Sequence, residues 1–337
     1  MKGLKMTRKE QPLTQRAIST VHYGLPGVGK TTTGFTFPKP CLHFDFDKGV
    51  NRAYQALRPD SAEITNYGEF QDYIMSDQFA KDVAEAGYKT CIVDTVGTML
   101  DDTIAPWLIG KDPKNARAGG LSLQGWGALG STFNLFRSRI RGLGMELHMI
   151  CHAKQDDEKR YILAVKGGSV DIIYRSADLI GLIYVKGDDR VAVYSPRHDN
   201  VCKDTGRIGE IVIPDPEKQF EAYRVFGETI TDKCKTKMVE ESHAQVEAQE
   251  AIKQYLESID NASKAADFDA IISGLAEEPN QVIKAQVRNK LSEALKDKKF
   301  YYDTEAGKVK KKTAKAQNGA EEASKEEAPK EKADADA

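Results

Sequence analysis

Residues 24–33 read GLPGVGKTTT and directly follow the alternating apolar run AISTVHY at 17–23. Gly24, Gly29, Lys30 and Thr31 satisfy the spacing G-x-x-x-x-G-K-[ST], which joins a buried strand to a helix. The chemistry explains the residue types. Glycine at 24 and 29 lets the backbone aim its N–H groups at phosphate oxygens, where a side chain would collide. Lys30 supplies a point charge to the β- and γ-phosphates, and the Thr31 hydroxyl suits Mg²⁺. A helix starting near Gly29 adds the positive end of its dipole. The stretch Gly24, Leu25, Pro26, Gly27, Val28, Gly29, Lys30, Thr31 and Thr32 is therefore expected to cradle a nucleoside triphosphate.

Outward from this loop, short apolar runs recur at 41–46 (CLHFDF), 89–93 (KTCIV) and 145–151 (MELHMIC), separated by helical or loop material. With 17–23 they predict buried strands of a mainly parallel sheet. Closely spaced strand signals at 161–165, 178–185, 190–195 and 208–213 predict antiparallel pairing that extends the sheet at one edge. Helical patterns fall near 96–108 and 126–141. The expected fold class is α/β, with a core over 16–231 preceded by a polar arm at 1–15. Beyond it, helical periodicity over 232–302 predicts a small C-terminal helical region. Residues 303–337 are almost devoid of large apolar side chains and are expected to be a disordered charged tail with lysines at 308, 310, 311, 312 and 315.

The 337 residues carry a net charge of −2, so any nucleic-acid site has to be local. No apolar stretch reaches membrane-spanning length, and MKGLKMTRKEQPLT lacks the apolar segment of a signal peptide. Five cysteines without a C-x-x-C pair argue against a zinc site or a disulfide framework. Cys41, Cys91 and Cys151 fall in or beside core strands, where a thiol serves as a small apolar group. A reduced, cytoplasmic protein with no membrane contact is the expectation.

Three further residues complete the candidate site. In KTCIVDT the apolar strand runs directly into Asp94, which is placed to organise Mg²⁺ with Thr31. In CLHFDFD, period-2 alternation puts His43, Asp45 and Asp47 on one face. A carboxylate there could orient an attacking water; Asp47 is nearest the strand end, Asp45 is the alternative, and an ordinary turn aspartate fits the spacing equally well. MICHAK places His152 at a strand end, within reach of a γ-phosphate or simply as a neutral hydrogen-bonding residue.

Taken in order, GLPGVGKT, CLHFDFD, CIVDTVGTML, MICHAK and KGGSVDIIYRSADL resemble the RecA-like P-loop ATPases. They are most similar to the small phage ATP-binding (AAA-type) proteins that act as single-strand annealing recombinases. The resemblance covers about 16–215. It implies ATP and Mg²⁺ as cofactors, Lys30, Asp47, Asp94 and His152 as the catalytic set, and Thr31 with Asp94 at the metal. The family's usual residue at position 47 is glutamate; aspartate is one methylene shorter, which bears on the hydrolysis rate and not on nucleotide binding. Two disordered DNA-binding loops are implied at about 112–125 and 154–168, offering Lys114, Arg117 and Trp126, then Lys159, Arg160, Tyr161 and Lys166. Basic residues interleaved with aromatics suit a single strand, although Asp156, Asp157 and Glu158 oppose it. The resemblance further implies a homo-oligomer, ring or filament, with a cation supplied in trans by Arg197, Lys203 or Arg207. Single-stranded DNA is the implied partner and phage-type recombination the implied role; a single-strand DNA-binding protein docking on the charged tail is a further partner to test.

Rival readings are weighed on the same residues. Asp94-Thr95-Val96-Gly97 matches the D-x-x-G of a GTPase, and Ala153-Lys154-Gln155-Asp156 imitates N-K-x-D. Ala153 cannot supply the side chain required there, which turns the expectation toward ATP. A small-molecule kinase would need an arginine lid; RSRIR at 137–141 continues an amphipathic helix instead. A helicase-like motor or loader shares the same core and stays open.

Overall fold

The structure, a computed structural model, describes residues 16–312. The arm expected at 1–15 and the tail beyond 312, Lys315 included, lie outside the described residues. These divide into two compact units, one ending at Glu241 and the other beginning at Ser242.

In the first unit β1 (Ser19–Gly24) runs into the glycine loop and α1 (Lys30–Gly34). The chain continues through β2 (Cys41–Asp45), β3 (Asp60–Glu63), α2 (Tyr67–Met75), α3 (Asp77–Ala86) and β4 (Thr90–Asp94). Next come α4 (Val96–Thr98), a π-helical stretch at Met99–Ile104, α5 (Ala105–Lys111), the small hairpin β5 (Ala116–Arg117) and β6 (Gly120–Leu121), and α6 (Leu123–Gly142). Then follow β7 (Glu146–Gln155), β8 (Tyr161–Leu163), α7 (Ser169–Ser176), β9 (Leu179–Lys186), β10 (Asp189–Val193), β11 (Lys203–Asp204), β12 (Glu210–Ile213) and α8 (Phe220–Tyr223). The main sheet runs β12-β10-β9-β1-β7-β4-β2-β3. From β9 to β3 every pairing on this path is parallel, and β10 and β12 add antiparallel strands at one edge. This is the α/β architecture that the apolar runs predict. The edge strand β3 is the exception, because DSAE is polar and its side chains are largely exposed. It holds on by backbone pairing with β2 and by polar side-chain contacts such as Tyr88 to Asp60 at 2.7 Å, and it carries no hydrophobic signature.

Alternation along the strands sends side chains to both faces of the sheet. On one, Val21, Tyr23, Phe44, Val93 and Met149 pack with Leu129, Phe133, Phe136 and Ile140 of α6. On the other, Ile92, Ile150, Leu179 and Ile183 pack with Phe35 and with Phe226, Ile230 and Cys234 of α9 (Phe226–Asn261). The domain boundary expected between 231 and 232 thus falls inside α9, between two residues of one core. Glu146, buried at the start of β7, accepts from the Ile18 amide at 2.7 Å and pairs with Lys235. All five cysteines are free and buried, and burial pushes Cys41 up to about 12 and Cys202 up to about 11. No helix among the described residues is long and apolar enough to cross a membrane.

Histidines make up an unusual part of the second face. His22 and His148 are fully buried edge to face, their centroids 4.9 Å apart, and His148 stacks on Phe37 at 3.9 Å. Burial lowers His22 to about 3 and holds His148 well below the ordinary value, with His22 and His43 adding repulsion. Both rings are therefore neutral in the fold. The unfolded chain protonates near pH 6.5, so below that value it binds protons that the native state refuses. Stability is expected to fall by about 1.4 kcal/mol per pH unit per histidine as pH drops from 6.5 toward 4. Urea midpoints at pH 7.5 and 5.0 check this, and a His148→Phe variant should flatten the slope. Equal wild-type midpoints would refute it.

In the second unit α9 ends against α10 (Ala265–Glu277) and α11 (Gln281–Asp297), around Ile259, Phe268, Ile271, Val287 and Leu291. The hairpin β13 (Phe300–Asp303) and β14 (Lys308–Lys311) closes this unit. Disorder expected from 303 is thus corrected for residues 303–312. Phe300 and Val309 are both buried, and the Val309 amide donates to Asp269 Oδ1 at 2.7 Å. Two inward residues in a lysine-rich stretch suffice to seat the hairpin, too sparse a pattern to register as a core. Lys298 fixes the approach to it by donating to the carbonyls of Ile259, Asp260 and Ala262, at 3.0, 2.7 and 2.7 Å.

Candidate nucleotide site

The parallel register brings the strand ends together beside the glycine loop. Gly24 lies opposite His152, Asp94 opposite Ile150, and Asp45 opposite Asp94. Gly24 has no room for a side chain, since a Cβ there would come 2.3 Å from the Ile183 carbonyl oxygen. Gly29, the N-cap of α1, sits at φ 84°, a conformation that glycine adopts without strain. Lys30 is 6% exposed and its ammonium donates to the Leu25 carbonyl at 2.9 Å. Burial lowers its pKa, partly opposed by Asp94, Cys151 and Asp47.

Thr31 donates to Asp94 Oδ2 at 2.6 Å, so the metal pair expected from the sequence is adjacent in space. Its all-oxygen chemistry fits a hard cation such as Mg²⁺, which takes few protein ligands and shares itself with phosphate. Among the described residues no group of three or more His, Cys, Asp or Glu could hold a metal by itself. Behind Asp94, His43 places Nε2 at 3.7 Å from Oδ2 and Nδ1 at 3.0 Å from Ser61.

The two carboxylates after β2 separate cleanly. Asp45 is buried and accepts from the amides of Gly49 and Val50 at 3.0 and 2.9 Å, which makes it the turn aspartate. Asp47 faces the loop. His152 Nε2 lies 3.1 Å from its Oδ2, while Thr95 donates to Oδ1 at 3.2 Å and Thr98 donates there as well. Burial alone would raise its pKa, but the hydrogen bonds from His152, Thr98 and Thr95 outweigh that and hold it below the usual carboxylate value. Asp47, Asp94, His152, Lys30 and Thr31 border one cavity of about 460 Å³.

Two residues absent from the sequence reading flank the loop. Arg190 of β10 brings its guanidinium so close that a Cβ on Gly29 would lie 3.0 Å from Cζ, and its buried Nε has no hydrogen-bond partner among the described residues. Tyr54, 44% exposed, lines with Thr32, Arg190 and Tyr223 a neighbouring cleft of about 820 Å³. Neither belongs to a local motif; only the antiparallel edge and the turn after β2 bring them to the loop.

The segments expected as disordered DNA loops are ordered instead. Residues 112–125 form the β5–β6 hairpin and the start of α6, capped by Ser122 on the Gly125 amide at 3.1 Å. The second segment is largely the β7–β8 hairpin, because Tyr161 pairs with Gln155. Trp126 packs under Gly167 and Gly168, where added Cβ atoms would meet its ring at 2.7 and 3.4 Å, so it is committed to packing. Arg160 binds Asp156 at 2.8 Å and Lys166 binds Asp102 at 3.0 Å. Lys114, Arg117 and Lys159 are exposed, with no ion-pair partner among the described residues. Each expected trans cation has a partner within its own chain. Arg197 holds Glu210 at 2.8 Å, Lys203 the Ala177 carbonyl at 2.7 Å, and Arg207 holds Glu241 at 2.8 Å.

The GTPase and small-molecule kinase readings lose their residues to structure. Asp156 closes the β7–β8 turn by accepting from the Glu158 and Arg160 amides at 3.1 and 2.9 Å, which engages the carboxylate of the N-K-x-D imitation in its own turn. Arg139 clamps the carbonyls of Ile74 and Ser76 at 3.0 and 2.6 Å, and Arg141 that of Ala17 at 2.7 Å, so RSRIR is no lid. A family model described as an AAA domain matches residues 16–206. No curated protein matches the chain.

Proposed function

The chain belongs to the AAA domain family of P-loop ATPases, and from that premise we propose that it binds ATP with Mg²⁺ and hydrolyses it to act on single-stranded DNA. The observation that carries the hydrolytic half is Asp47, an ionised carboxylate held by His152, Thr95 and Thr98 on the border of the loop cavity. Lys30 would exchange the Leu25 carbonyl for phosphate oxygens, and Thr31 with Asp94 would hold the cation. Magnesium, when bound, offsets the charge of the β- and γ-phosphates. Asp47 then accepts a hydrogen bond from the attacking water, the role that suits a carboxylate already ionised. His152 keeps Asp47 aimed and would meet the γ-phosphate once nucleotide is bound.

The DNA half rests on the resemblance to phage annealing recombinases. In that reading the protein is a homo-oligomeric ring or filament that anneals or exchanges strands in recombination, with a single-strand DNA-binding protein as its associate. A neighbour's Arg197, Lys203 or Arg207 would have to leave its own partner to reach the nucleotide, which keeps isolated subunits slow. Gel shifts on single- and double-stranded DNA, with and without ATP, test the reading alongside annealing of complementary strands. Single-strand preference with annealing is expected. No DNA binding in any nucleotide state would defeat this half.

A further inference from the structure

The β13–β14 hairpin combines exposed tyrosines with a cluster of lysines. Residues opposite each other across an antiparallel ladder share a face, so Tyr301 stands with Lys310, and Tyr302 with the buried Val309. Tyr301 and Tyr302 are nonetheless 40% and 42% exposed. Beside them runs a groove of about 470 Å³ floored by Ile272, Leu275, Leu291 and Leu295. Arg288, Lys296 and Lys312 also line it, and no carboxylate does.

Charge is concentrated here too. Residues 281–312 hold ten Lys and Arg against four Asp and Glu, in a chain whose net charge is −2. Some of these cations have structural uses: Lys298 caps α9, and Lys310 pairs with Asp303 at 2.6 Å. Arg288, Lys296, Lys299, Lys308, Lys311 and Lys312 have no ion-pair partner among the described residues. Nothing in the fold requires unpaired cations around an apolar groove with two exposed tyrosines.

We propose that this hairpin and groove are a single-stranded DNA site, with the phosphates along the lysines and bases stacked on Tyr301 and Tyr302. An occupant must be anionic and must also offer planar apolar faces, which a single strand does at every nucleotide. A duplex hides those faces in its stack. The chain's own 313–337 segment has no apolar residue larger than proline. The proposal rests on the DNA half of the function above, and it moves the strand from the ordered 112–125 and 154–168 segments to the second unit.

The test is fluorescence anisotropy of the full chain with labelled oligo-dT and with a duplex of equal length, over a salt series. Wild type should prefer oligo-dT. Tyr301→Ala/Tyr302→Ala should weaken binding at least about 30-fold, as loss of two stacked bases requires. Lys311→Glu/Lys312→Glu changes only exposed side chains and should reduce the salt slope by at least about 0.7 for each lysine lost. Tyr302→Phe should bind as wild type does. Wild-type affinity in both double variants would overturn this site while leaving the DNA reading standing. Failure of the wild type itself to bind would overturn both.

Discussion

Replacing Lys30 by alanine is expected to lower ATP turnover by about 10²–10³-fold, the usual effect of losing one preorganised donor to developing charge. The fold should survive. Lys30 makes a single side-chain hydrogen bond, to the Leu25 carbonyl, and sits nearly buried with its pKa lowered by that burial. Truncation therefore removes a desolvated ammonium and strands no partner charge within bonding distance, because Asp94 already accepts from Thr31 at 2.6 Å. The variant should melt within a few degrees of wild type and bind a fluorescent ATP analogue weakly or not at all. Undiminished phosphate release from Lys30→Ala would remove the glycine loop from the reaction.

The second large effect separates binding from chemistry. Asp47→Asn should reduce hydrolysis by about 10²–10⁴-fold, the range for loss of a general base, with ATP affinity close to wild type. The amide is isosteric and still accepts from Thr95 and Thr98, so local geometry is kept while basicity is lost. Burial tends to raise the pKa of Asp47, and hydrogen bonds led by His152 bring it below the carboxylate norm. Asp47 accordingly stays ionised from pH 8 down to pH 5, and it should contribute no acid limb to the rate over that interval. A matched Asp45→Asn variant should lose stability more than rate, because its carboxylate serves the Gly49 and Val50 amides. Equal loss of ATP binding and turnover in Asp47→Asn would assign Asp47 to ground-state binding.

Much of this site was legible because its chemistry is local. The glycine loop fixes Lys30 and Thr31 within one turn, and the apolar run before Asp94 places that carboxylate at a strand end beside it. Choosing between Asp45 and Asp47 needed the turn after β2, since alternation puts both on one face and only the turn shows whose oxygens meet backbone amides. Arg190 and Tyr54 were illegible for the opposite reason. Each reaches the loop across a gap in sequence, and neither has a spacing signature. Flexibility inferred for 112–125 and 154–168 failed where short polar hairpins close on side-chain caps such as Ser122 and Asp156. The hairpin at 300–311 was missed because Phe300 and Val309 do the burying for an otherwise charged stretch.

The proposed function joins ATP hydrolysis at the glycine loop to a single DNA strand, and one measurement tests that link directly. Phosphate release from ATP with Mg²⁺ is followed for the full chain, with and without oligo-dT, beside Asp47→Asn as the blank. Slow turnover alone, a clear rise with oligo-dT, and neither in Asp47→Asn is the expected result. A wild-type rate that ignores oligo-dT, or that Asp47→Asn matches, would contradict it.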